Sequence, residues 1–315
     1  MVSRVLVLAA AAAAPAWGFR VPARTMRMSA DVPATIVGLG RIGGLIASVG
    51  DGKDTIVGRQ DKIAADGSGP IYVCTRNDVL DGIVADCPEG RREDLVFMQN
   101  GFIESWMKGK GLEDNTQALL YFAVTKAGAD PIDGVTPLNP EGLTAATGKW
   151  GAALTARLAK AGLKCNDVDA VAYRAKMFEK LFWISCLMLV GAAHDCASVG
   201  DAQKEHGEEL AALIAELAAA VTARYGIEFE AGVVERLFAY TDVVANFPCG
   251  VKEFEWRNGF FWALSREAVK AAGGDEAADV CPIHTKLLRG LEAEGKIGFD
   301  LPGEPDMQLL MGTTA

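Results

Sequence analysis

Histidine is scarce in this 315-residue chain: His194, His206 and His284 are the whole complement, and no two of them stand at a metal-ligand spacing. That pattern predicts no metal site. The seven cysteines (Cys74, Cys87, Cys165, Cys186, Cys196, Cys249 and Cys281) are odd in number, scattered, and form no C-x-x-C pair. They argue against a disulfide framework and for reduced thiols. Positive charge is also short, with 31 Lys and Arg against 41 Asp and Glu, a formal net charge of −10. The first 28 residues hold four arginines and no acid, so the remainder carries −14. Such a balance argues against nucleic acid or an anionic membrane as partner. Past the leader there is no apolar run long enough to cross a bilayer.

Residues 1–28 read as an address. Arg4 precedes Val5-Leu6-Val7-Leu8 and a run of alanines, then Ala14-Pro15-Ala16-Trp17-Gly18-Phe19, then Arg20, Arg24 and Arg27. The apolar core is too short for a membrane-spanning helix and fits a signal h-region. Small residues before Phe19, followed by an arginine-bearing, acid-free tail, resemble the bipartite presequences of algae with complex plastids. That resemblance implies delivery to the plastid stroma; an ordinary secretory signal is the alternative. About 285 residues remain, a length suited to two domains.

What is present is led by Ala34-Thr35-Ile36-Val37-Gly38-Leu39-Gly40-Arg41-Ile42-Gly43-Gly44. An apolar, β-branched run ends in a glycine turn, which opens into the periodic set Ile42, Leu45, Ile46 and Val49. This is the strand-turn-helix of a dinucleotide site. Gly38 permits the tight turn, Gly40 lets the backbone approach a pyrophosphate, and Gly43 lets helix pack on strand. The N–H groups of Leu39, Arg41 and Ile42 belong to the same cradle, and the helix dipole favours phosphate there. A second strand, Asp54-Thr55-Ile56-Val57, ends in Gly58-Arg59. An acid at that end would take the ribose 2′-hydroxyl of NAD, whereas an arginine accommodates the 2′-phosphate of NADP. Arg59 therefore predicts NADPH.

Further apolar runs end in polar groups. Ile71-Tyr72-Val73-Cys74 is followed by Thr75-Arg76-Asn77-Asp78, and Leu95-Val96-Phe97-Met98 by Gln99-Asn100-Gly101. Each would deliver side chains to the carboxyl edge of an open α/β sheet, where ligands bind. Ala118–Val124 and 130–144 read as edge strands, antiparallel to the rest. From about Asn166 the texture becomes helical, with Asn166 or Asp167 capping a helix from Val168 to about Ala193. Further helices are predicted over 203–225, 233–243, 251–272 and 282–295. The expected fold class is α/β, with a Rossmann domain over 29–165 and an all-helical domain over 166–315.

The succession GLGRIGG, TRND, QNG, then AKMFEKLFW on a helix, then VKEFEWRNG resembles the ketopantoate reductase (2-dehydropantoate 2-reductase) family over nearly the whole chain beyond the leader. The resemblance implies NADPH as hydride donor and a 2-keto acid substrate in a cleft between the domains, 2-dehydropantoate being the named one. By position it implies Lys180 as general acid, Glu253 as its carboxylate partner and Asn100 near nicotinamide and substrate. Thr75 and Arg76 stand where the third strand meets the cofactor, and Ser185 and Asn258 where the substrate is bound. The family's asparagines after the lysine are replaced by Ile184-Ser185-Cys186 and the apolar stretch beyond. Buried polar groups decide among small substrates, so this departure leaves the acceptor open.

Elementary chemistry agrees with the role that the resemblance implies for Lys180. Hydride addition to a ketone builds negative charge on oxygen, and a protonated lysine in a partly dry cleft stabilises that charge and supplies the proton. A carboxylate beside it would keep it charged against desolvation. Lys176, one turn earlier, is the fallback. Two other readings fit: a hydroxy-acid dehydrogenase working oxidatively with the lysine as base, and a non-catalytic NADP(H)-binding redox sensor. The apolar helical domain could support a homodimer.

Overall fold

The computed structural model describes residues 32–311; the predicted leader lies outside them. The elements in chain order are β1 (Thr35–Val37), α1 (Arg41–Ser48), β2 (Thr55–Val57), β3 (Ile71–Val73), α2 (Leu80–Asp86), β4 (Leu95–Phe97), α3 (Glu104–Gly109), β5 (Thr116–Leu119), β6 (Phe122–Ala123), β7 (Ile132–Asp133), β8 (Ala145–Thr147), α4 (Gly151–Lys160) and β9 (Asn166–Asp167). Helices then take over: α5 (Ala170–Ala193), α6 (Val199–Tyr225), α7 (Val233–Val243), α8 (Asn258–Ala271), α9 (Pro282–Ala293) and α10 (Met307–Met311). The fold is α/β, a mostly parallel sheet followed by a helical part.

Seven strands form one sheet in the order β2-β1-β3-β4-β5-β8-β9. β1 to β5 are parallel, β8 runs antiparallel to β5, and β9 pairs parallel with β8. Successive residues of each short strand feed opposite faces. Ile36, Tyr72 and Val96 enter the core under α1 and α4, whereas Val37, Val73 and Phe97 enter the core under α2 and α3. Coverage of both faces is why these strands are continuously apolar and not alternating. On the first face α4 is pinned by Arg157, whose guanidinium is paired with the buried Asp54 carboxylate, while Asp54 Oδ1 accepts the Ala34 N–H at 2.8 Å.

Several expectations shift. Phe122–Ala123 and Ile132–Asp133 do not edge the main sheet but pair as a separate two-stranded ribbon. Asn166 and Asp167 form the last strand, and Asp169 caps α5 by accepting from Ala172 N at 2.8 Å. The single helix predicted over 251–272 is instead a 3₁₀ turn at Phe254–Trp256 and then α8. Glu253, at φ 50°, breaks the run, a conformation no helix interior accepts. The helix expected from 203 begins at Val199, where Ser198 caps it, and is kinked at His206. The link from β2 to β3, residues 58–70, contains no helix.

α5 is buried nearly all round in its second half, including Leu181, Phe182, Ile184 and Leu187. Its core is continuous with the sheet part through Phe102, whose ring lies 5.6 Å from Phe178 and 4.3 Å from Phe260. All seven cysteine thiols are free.

Candidate active site

The glycine turn is built as its spacing demands. Gly38 sits at φ 88°, and a Cβ there would stand 2.9 Å from Thr75 Cγ2. A Cβ on Gly43 would run into the Gly38 carbonyl, so α1 packs on β1 through bare backbone. Around Gly40, in contrast, a Cβ would meet nothing within 4 Å. Gly40 caps α1 with no side chain satisfying the first-turn N–H groups. These orphan donors and the positive end of the helix face open space at the sheet's carboxyl edge. Leu39, Gly40 and Arg41 are exposed. The Arg41 guanidinium folds back to donate to Val124 O at 3.3 Å, and Ile42 packs beneath.

Arg59 is exposed just beyond β2. The neighbouring Gly58 N–H donates to Asp61 Oδ2 at 3.0 Å, so an acid does lie in this turn, engaged by the backbone. Thr75 Oγ1 is buried beside the glycine turn with no partner. Arg76 instead points to solvent and pairs with Asp78 at 2.8 Å. An empty approach at Gly40, an uncapped helix start, an orphaned hydroxyl and an exposed arginine form a donor set that fits a dinucleotide.

Along the same edge Gln99 ties β4 to β3, its Nε2 donating to Val73 O at 2.8 Å and Thr75 O at 3.2 Å. Asn77 Nδ2 donates to Asn100 O at 3.1 Å. These bonds leave the Asn100 side chain at the mouth of a narrow cleft also lined by Gly101, Gln117, Met177 and Lys180. The cleft lies between the ends of β4 and β5 and the outer face of α5. Gly101, at φ 109°, brings its backbone against Trp256: a Cβ would clash with the Trp256 carbonyl, which accepts the Phe102 N–H at 2.6 Å. Two segments about 155 residues apart in sequence therefore join at the seam of sheet and helices.

Lys180 is only 7 % exposed. Its ammonium donates to Leu120 O at 3.0 Å and lies 4.1 Å from the Tyr121 ring centroid, 5.2 Å from Tyr240 and 5.3 Å from Trp183. Burial, with a smaller contribution from the Arg257 cation, lowers its pKa from 10.5 to about 7. Lys180 lines the cleft wall and Lys176 does not. Glu179, next to Lys180, points away and forms a bidentate pair with Arg236 of α7, at 2.6 and 3.3 Å.

The expected Lys180–Glu253 pair is not what the fold builds. Glu253 is taken by Arg257 four residues on, the two closing over the 3₁₀ turn. With no carboxylate beside it, Lys180 loses to desolvation instead of being held charged. Arg257 does not line the cleft but adds to the lowering of the Lys180 pKa, and its i,i+4 spacing from Glu253 is visible in the sequence. Its guanidinium is mostly buried and its Nε finds no acceptor.

Ser185 and Asn258 are not at the cleft wall. Ser185 is fully buried with its hydroxyl unpartnered. Asn258 Nδ2 lies 3.3 Å from Ser185 O and 3.2 Å from His284 Nε2, inside the helical core. Burial drives the His284 pKa down to about 3, so this ring is neutral. The resemblance implies substrate contacts for both, but the turn of α5 that carries Ser185 faces α8 and α9 instead. The expectation that histidines lie apart is also corrected, because the His194 and His206 rings stack with centroids 3.7 Å apart.

No protein-family model matches the chain, and no curated protein matches it. Solved structures do. A PanE/ApbA family ketopantoate reductase from Ralstonia eutropha superposes with TM-score 0.57 at 15 % identity, over 84 % of this chain and 100 % of that one. A 2-dehydropantoate 2-reductase from Methylococcus capsulatus gives 0.57 at 15 % identity, over 86 % and 99 %. D-mandelate dehydrogenase, solved with NADH and anilino(oxo)acetate, gives 0.56 at 14 % identity, over 84 % and 100 %. At such identities the likeness is one of fold.

Proposed function

We propose that the protein is an NADPH-dependent reductase of the ketopantoate reductase type, acting on a 2-keto acid. The observation that carries this reading is the buried Lys180 ammonium on the cleft wall with Asn100, at the same sheet edge as the open Gly40 turn. The folds of 2-dehydropantoate reductases and of D-mandelate dehydrogenase support the same class, and 2-dehydropantoate is the first substrate to test.

The turn of Gly38, Gly40 and Gly43 with the start of α1 would hold the diphosphate, and Arg59 the 2′-phosphate that separates NADPH from NADH. When bound, the dinucleotide supplies hydride to the substrate's carbonyl carbon. Lys180 meets the developing oxyanion, stabilises it in a site of low polarity and passes its proton to that oxygen. Leu120 O and the three rings hold the amine in place. Asn100 offers an amide at the cleft mouth to orient the carbonyl. Arg257, paired with Glu253, adds to the burial that depresses Lys180.

A pKa of about 7 leaves part of the lysine neutral near pH 7, so the same residue can accept a proton from a hydroxy acid in the oxidative direction. The arginine-rich leader supports a plastid location. The decisive experiment follows NADPH consumption by the purified chain against a panel of 2-keto acids that includes 2-dehydropantoate. Turnover with at least one is expected. Tight NADPH binding without turnover of any, or of any hydroxy acid with NADP+, would overturn the enzyme reading in favour of a sensor.

A further inference from the structure

At the far end of α5 from the cleft, three residues well separated in sequence converge. His194 closes α5, His206 stands at the kink of α6, and Glu209 follows one turn later on the same helix. His194 Nε2 lies 2.6 Å from Glu209 Oε2, the two imidazoles stack at 3.7 Å with 12° between their planes, and one ligand atom from each residue lies within 4.8 Å of the other two. A second trio, Cys196, Glu205 and His206, meets the same test and shares His206.

We infer that His194, His206 and Glu209 form a binding site for a divalent transition metal of the zinc class. Two imidazoles and a carboxylate are ligands of the borderline type zinc takes, with bonds of about 2.0–2.2 Å. Ligand atoms around one such ion stand roughly 3.3 Å apart. The histidine–glutamate pair must therefore open by under about 1 Å, and the two imidazoles must rotate out of their near-parallel stack so that their in-plane lone pairs converge on the ion; the exposed His194 ring has the room to turn. His206 and Glu209, three apart on a helix, share a face. The non-helical φ/ψ of His206, −128° and 29°, turns that face toward the end of α5. Coordination takes place through neutral imidazole and carboxylate, so the proton held between His194 and Glu209 leaves to solvent. His194 is exposed, which gives the ion a direct path from water. Cys196, raised in pKa by burial and by Glu205, Asp201 and Asp195, shares His206 with Glu205 in the second trio and is left outside the assigned ligand set. The ion would clip α6 to the end of the helix that carries Lys180, fourteen residues upstream.

The test uses the full chain dialysed against chelator, then titrated with zinc chloride in competition with a chromophoric chelator. One equivalent bound is expected, with a rise in thermal midpoint. His194→Ala and His206→Ala should each weaken binding at least tenfold and abolish the thermal shift, whereas Cys196→Ser should leave both in place. Glu209→Gln, which keeps shape and a hydrogen bond to His194, guards against loss through misfolding and should also weaken binding tenfold. Zinc binding that survives both histidine substitutions, or is lost in Cys196→Ser while persisting in His194→Ala, would overturn the assignment. These readouts require no substrate, so the site stands or falls separately from the reductase reading.

Discussion

Replacing Lys180 by Met separates what the lysine does for catalysis from what it does to stability. Lowering its pKa from 10.5 to about 7 means that the fold disfavours the ammonium by about 5 kcal/mol relative to water. The unfolded chain holds this proton up to 10.5 and the folded chain only to about 7, so stability rises with pH across that window and is lowest below it. Lys180→Met removes the penalty. The variant should therefore resist denaturant better than wild type at pH 6, by up to about 5 kcal/mol, with the gain shrinking toward pH 10. Its reductase activity should fall by roughly 10²–10⁴-fold, the usual worth of a positioned acid. Wild-type kcat/KM for a 2-keto acid should decline above a limb at about pH 7, and that limb should vanish in the variant. NADPH binding, measured by fluorescence, should survive. A wild-type profile flat from about pH 6 to 9, or a variant that loses stability at pH 6, would refute the claim that Lys180 is a desolvated acid.

Other perturbations distinguish neighbours by their surroundings. Gly40→Ala should fold with wild-type stability yet bind NADPH more weakly, because its Cβ enters open space where phosphate would lie; Gly43→Ala should destabilise the sheet part by about 1–3 kcal/mol, because its Cβ meets the Gly38 carbonyl, and equal thermal shifts in the two would contradict this. Arg59→Ala should weaken NADPH while sparing NADH, and equal loss of both in a binding assay would remove the phosphate role. Arg257→Met should move the pH limb upward, since a cation that depresses Lys180 is gone; an unmoved limb would sink the electrostatic link.

The α/β alternation, the strand-turn-helix at Gly38, the carboxyl-edge residues Asn77 and Asn100, and the helical second half are all legible in the sequence, because turn chemistry and hydrophobic period are local properties. Lys180 was legible too, through its place in a run that resembles a known family. What the tertiary structure alone decided concerns partners and solvent. Glu253 was read as holding Lys180 charged, but a left-handed residue ends the expected helix and delivers the carboxylate to Arg257, so burial rules the lysine. Ser185 and Asn258 carry polar groups that periodicity could not aim, and the packing of α5 on α8 and α9 turned them inward. His194 and His206, twelve positions apart in the chain and at no recognised ligand spacing, meet only because α6 folds back along α5 and kinks. Charge, protonation and coordination depend on what a side chain faces after packing, and that distance through space is the one quantity the linear order does not carry.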